Sequence, residues 1–193
     1  MHNPLSHHLL TCAYNNGWAN HRLLKVCALL NQQEFDAARS GFFPSIKATL
    51  NHILTTDWFY IDALERELRG SMPHPRYQVF FEPEQPFATC AALQAAQKDS
   101  DQRLIAYCRQ IKDDELGRRV SILRTDSIQR DTRTRLLAHL FEHQTHHRGQ
   151  VHAMLAGTRV EAPQLDAFFS EGEADERAPD FAELGWTEAE IWS

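Results

Sequence analysis

The chain has 193 residues, 42% of them hydrophobic and 24% charged, with a formal net charge of −6, which describes an ordinary globular protein with room for one sizeable core. No run approaches the roughly 20 apolar residues of a membrane span, and the start Met1-His2-Asn3-Pro4 lacks the basic-then-apolar order of a signal peptide. Residues 170–193 hold eight acids and only Arg177 as a base, net −7, so the other 18 acids and 19 bases leave a balanced body with no basic, aromatic-interleaved patch for nucleic acid.

Residues 4–30 read as a long helix. Leu5, Leu9, Cys12, Ala13, Asn16, Asn20, Leu23, Leu24, Cys27 and Leu30 share one face. Asn16 and Asn20 stand four apart on this apolar stripe, and a buried Asn must find hydrogen bonds. They read either as polar residues at the wet end of a core stripe or as groups that orient metal ligands. Asn31 to Gly41 is polar and reads as a loop. Pro44 suits a first helical position, and the second helix runs from there to Arg69, stopped by Gly70. Its aliphatic stripe is Ile46, Leu50, Ile53, Leu54, Ile61, Leu64 and Leu68. His52 lies off that stripe, on a second face with Thr49, Thr56 and Phe59.

Pro73, Pro75, Pro83 and Pro86 make residues 70–86 a long irregular connection, a kind that often carries function. A third helix is expected over 87–111, with Leu93, Gln97, Leu104, Cys108 and Ile111 inward. Residues 117–130 read as a short hairpin or an irregular crossover. The fourth helix, about 131–156, is the clearest, and Gly157 ends it. Four long amphipathic segments without a strong strand pattern give an all-α, up-down four-helix bundle, which builds metal sites from side chains on facing helices. We take residues 1–169 as this domain and 170–193 as an acidic tail. Thr187 and Glu190 have capping-box spacing, so the tail is expected to end in a short helix. Its Phe181, Leu184, Trp186 and Trp192 need an apolar surface, on this chain or on a partner subunit. Cys12, Cys27, Cys90 and Cys108 show no CxxC and read as reduced thiols of a cytoplasmic protein.

The chemistry concentrates in the fourth helix. His143 and His147 are four residues apart, which sets the imidazoles about 40° apart on one face. Leu136, Leu140, His143, His147, Gln150, Val151 and Met154 fall in one arc of about 100°, with His139 and His146 at its edge. Two neutral imidazoles inside an apolar stripe can share one transition metal, which needs at least a third ligand. His52 is available, but periodicity alone does not decide whether it joins. No Glu lies between His143 and His147, which excludes the HExxH zinc-protease pattern. Glu142 is followed at three residues by Thr145, which removes the Glu-x-x-His pairs of a di-iron bundle. A mononuclear site is therefore expected.

The run His143-Gln144-Thr145-His146-His147-Arg148-Gly149-Gln150, with Leu50-Asn51-His52-Ile53-Leu54 upstream, resembles the DinB family. The likeness extends to Trp18-Ala19-Asn20 and to Ala162-Pro163-Gln164-Leu165-Asp166, and covers roughly residues 5–168. The resemblance implies a four-helix bundle, often a homodimer, and a divalent nickel or zinc ion held by His52, His143 and His147. Characterised relatives include bacillithiol S-transferases and a mycothiol-dependent maleylpyruvate isomerase. The resemblance thus implies a small-molecule thiol and an electrophile as substrates. A metal-dependent hydrolase that activates water, and a non-catalytic metal-binding stress-response dimer, are the alternatives.

Overall fold

The computed structural model describes residues 4–193; Met1, His2 and Asn3, on which the signal-peptide reading partly rests, lie outside the described residues. Four long helices dominate: α1 (Leu5–Cys27), α3 (Ile46–Leu68), α4 (Cys90–Cys108) and α5 (Arg133–Leu155). Three shorter ones accompany them, α2 (Gln32–Asp36), α6 (Ala174–Leu184) and α7 (Glu188–Trp192). Strands β1 (Arg119–Leu123) and β2 (Ile128–Thr132) form an antiparallel hairpin with Val120 opposite Asp131. The 117–130 segment is therefore a hairpin rather than a crossover. No described helix is long and apolar enough to cross a membrane.

Each long helix packs on two others: α1 and α3 each contact both α4 and α5. The elements start and stop for local reasons. Ser45 caps α3 through Ala48 N–H at 3.1 Å, so Pro44 sits just before the helix rather than as its first residue. Gly70, at φ 67°, takes the left-handed turn that ends α3, and Ser71 N–H reaches back to Arg66 O at 2.8 Å. Thr89 caps α4 and Thr132 caps α5. Asn31 and Glu34 form a reciprocal capping box, which makes a helix, α2, in the stretch read as a loop.

Two departures from the predicted pattern share a cause. On α1, Leu5 is exposed and Cys12 half-buried, while Tyr14 and Trp18, off the predicted stripe, are fully buried. On the tail side, α6 forms although it carries Pro179 in its interior. Both follow from the docking of the tail on the back of α1. Trp186 meets Tyr14 edge-on with ring centroids 4.9 Å apart, and Phe168 packs on Trp18 at 5.7 Å. Phe181 and Ile191 are buried in the same cluster. Arg177, itself buried, donates to Ala167 O, Ser170 O and Glu188. The tail's aromatic residues thus cover their own chain. Thr187 caps α7, but the Glu190 side chain turns to Tyr14 and Arg109 instead of completing the predicted capping box.

Candidate metal centre

His52 comes from the middle of α3, and His143 and His147 come from α5, which packs beside it. Their ligand atoms all lie within 4.8 Å of one another. His52 Nε2 and His143 Nε2 are 3.0 Å apart, and the His143 and His147 rings are 4.4 Å apart between centroids. The structure therefore brings His52 to the pair, which periodicity left open. His139 and His146 stay outside: His139 hydrogen-bonds Tyr60 Oη at 3.2 Å, and His146 meets Gln150 Nε2 at 3.0 Å.

The donors suit a cation. Only one proton fits between the His52 and His143 nitrogens, so at least one of the two is free to offer its lone pair to a cation. Two nitrogens about 2.05 Å from a tetrahedral ion stand roughly 3.3 Å apart, close to the observed contact. His147 is oriented by Gln150: Nδ1–H donates to Gln150 Oε1 at 2.9 Å, which leaves the Nε2 lone pair free. The Gln150 amide is itself fixed, since its nitrogen faces His146. Buried His143 Nδ1 has no such partner among the described residues.

Burial keeps the imidazoles neutral, as a metal ligand must be. It holds His52 down at about 4, helped by the repulsion that a second proton beside His147 would meet, and His143 down at about 3, helped likewise by the neighbouring histidines. His147 is also lowered by burial, against the Gln150 hydrogen bond.

Phe43 closes one side of the site, its ring 4.3 Å from His52 and 5.5 Å from His147. It is carried by a tight loop that Arg39 N–H closes on Pro44 O at 2.8 Å. At Gly41 a Cβ would displace the flexible end of Met154 and crowd Phe43 O at 3.2 Å. Beside His52 opens a cavity of about 470 Å³, walled by the Phe43 loop and by the 70–86 connection. Asn51 pins that connection at its far end: its amide exchanges two hydrogen bonds with the Phe87 backbone, at 2.9 and 3.0 Å.

Behind the histidines lies a buried polar network. Arg148 donates to Asn16 Oδ1 at 2.5 Å, Asn20 Oδ1 at 3.0 Å and Gln144 Oε1 at 3.2 Å. Asp101 Oδ1 accepts from Asn16, Asn20 and Gln97, and Asp57 accepts from Gln97 and Gln144. The hydrogen-bond partners of Asn16 and Asn20 are thus Arg148 and Asp101, and none is a histidine. Gln144 and Arg148 occupy the innermost line of α5, which rotates His143 toward the edge of the core. Asp101 and Phe43 carried no pattern in the sequence; a buried carboxylate in an amphipathic helix looks like any solvent-facing one until its neighbours are known.

A second group, His21, Asp180 and Glu183, also brings potential ligand atoms together. Asp180 already accepts from Trp18 Nε1 at 3.2 Å and Arg22 Nε at 2.6 Å, and Lys25 lies 2.5 Å from Glu183. These carboxylates are compensated by cations, and the group ties α6 to α1.

The fold and the site define a predominantly helical protein with a three-histidine candidate metal centre between two long helices. The chain belongs to the DinB family, whose model matches residues 1–178. Among solved structures, a DinB-like protein from Bacillus cereus ATCC 10987 aligns with a TM-score of 0.60 over 81% of this chain and 94% of that one, at 13% identity. At that identity the likeness shows the fold alone. No curated protein sequence matches the chain.

Proposed function

We propose that the protein is a metal-dependent enzyme that activates a low-molecular-weight thiol for S-transfer, with His52, His143 and His147 holding one divalent nickel or zinc ion. The observation that carries this reading is the convergence of three neutral imidazole nitrogens, from two rigid helices, at the edge of a cavity large enough for a small substrate. A divalent ion bound there would lower the thiol's pKa from about 8.5 and favour the thiolate at neutral pH. The chain does the rest. Burial keeps the ligands unprotonated, Gln150 fixes the tautomer of His147, and Phe43 shields the donor cluster from bulk water. The four cysteines supply no rival nucleophile: burial pushes Cys12 and Cys90 up to about 11, and Cys27 and Cys108 higher still.

In this reading the four long helices form the up-down bundle of the family, with α6 and α7 as a C-terminal extension, and the protein works as a cytoplasmic homodimer on a thiol and an electrophile. Metal analysis of untagged protein tests the centre. We expect close to one nickel or zinc per chain after reconstitution, falling below about 0.2 in His143→Ala and in His147→Ala. Full stoichiometry in either variant would remove that residue from the ligand set. The cobalt-substituted protein then separates the chemistries. A thiolate-to-cobalt charge-transfer band on adding small thiols supports S-transfer, and its absence across several thiols favours activation of water.

A further inference from the structure

The cavity beside His52 has a chemical character of its own. Its walls are the rings of Phe43, Tyr77 and Phe81, and Glu82 and Glu84 stand on the same lining. No Lys or Arg contributes to it. Among the described residues neither glutamate makes an ion pair or a side-chain hydrogen bond, so both carboxylates are uncommitted. Two bases on neighbouring elements are engaged elsewhere, while Arg76, beside Tyr77, is exposed and makes no ion pair among the described residues. Arg124 lies over Phe59 at 4.9 Å and donates to Gln129 Oε1 at 2.9 Å, and Lys47 pairs with Asp36 at 2.7 Å.

The aromatic walls are fixed before any ligand arrives. Tyr77 Oη is 2.7 Å from Thr125 Oγ1 in the β1–β2 turn. Phe81 packs on the buried Phe59 with centroids 5.2 Å apart. Ring faces attract cations through their quadrupole, and two unpaired carboxylates add a field of the same preference. In the metal-free cavity an anionic ligand would meet the two carboxylates with no lining Lys or Arg to offset them.

From this lining we infer that the cavity selects an organic cation, meaning a ligand with a positively charged nitrogen on an apolar or aromatic body, and discriminates against carboxylates. The inference rests on the cavity being the substrate site of the proposed enzyme. It narrows the substrate class to aminothiols or amine-bearing electrophiles, whose charged nitrogen sits among the rings and glutamates while the reacting end faces His52.

Three probes of similar shape, none containing a thiol, test this on the full chain after treatment with EDTA: benzyltrimethylammonium, benzyl alcohol and phenylacetate, titrated by calorimetry at pH 7.5. We expect the cation to bind about tenfold more tightly than the alcohol, and phenylacetate to bind most weakly. The doubly substituted Glu82→Gln/Glu84→Gln protein should bring cation and alcohol within about twofold of each other. Equal or tighter binding of phenylacetate, no binding of the cation, or a preference that survives the double substitution would overturn the inference. Because the probes need no metal, a failed charge preference and a failed metal centre are read in separate experiments.

Discussion

Arg148 stands immediately beside a candidate ligand, yet its work is done on the opposite side. It is the one cation in a buried network that also holds two carboxylates, Asp57 and Asp101. Desolvation lowers its pKa to about 10, and the two aspartates act against that shift. Removing the guanidinium takes away the donor that joins α5 to Asn16 and Asn20 of α1. Arg148→Met leaves the buried oxygens of Asn16, Asn20 and Gln144 without their donor and is therefore expected to cost about 1–3 kcal/mol or more in urea denaturation. Asp101 supports a subtler test. Burial, then the charge of Asp57, raises its pKa well above 3.8. The folded carboxyl therefore keeps a proton that the unfolded chain releases, and the native state loses stability as pH rises from about 4 through the raised value. Asp101→Asn keeps an oxygen for the three donating amides and cannot ionise. Relative to the wild type its melting temperature should improve steadily between pH 4 and pH 8. A difference that does not change with pH would show that Asp101 titrates normally.

At the scale of elements, the helices show which signals a sequence carries. The termini of α3 and α5 fell within two residues of expectation, because Gly70 and the apolar period are local properties. His143 and His147 were visible for the same reason, since a spacing of four is a local geometry. His52 was not, as nothing within α3 says which way its second face looks; the resemblance supplied it and the packing of α3 on α5 provides the contact. The helix α6 was not expected; Pro179 inside it argues against a helix, while Asp175 and Glu176 in its first turn favour one, and tertiary docking holds the element in place. That docking is testable at α7, whose Ile191 is completely buried against the main core. Ile191→Ala should destabilise the whole protein by about 2–5 kcal/mol. An unchanged unfolding midpoint would mean that the tail is an independent appendage.

Taken as a whole molecule, the chain separates two jobs by the kind of backbone that performs them. The three imidazoles come from the interiors of α3 and α5, His52 lying 91 residues before His143, where the backbone is fully hydrogen-bonded and rigid. Most of the cavity wall comes from connections: the Phe43 loop, and the irregular segment bearing Tyr77, Phe81, Glu82 and Glu84. Connections tolerate replacement and insertion far better than helix interiors. On the proposed function, changes in those two stretches redirect the protein toward a new ligand while the imidazole cluster stays untouched. The scaffold behaves as a fixed socket with an interchangeable mouthpiece, and what its relatives accept should vary with the lengths and residues of two loops more than with anything on the helices.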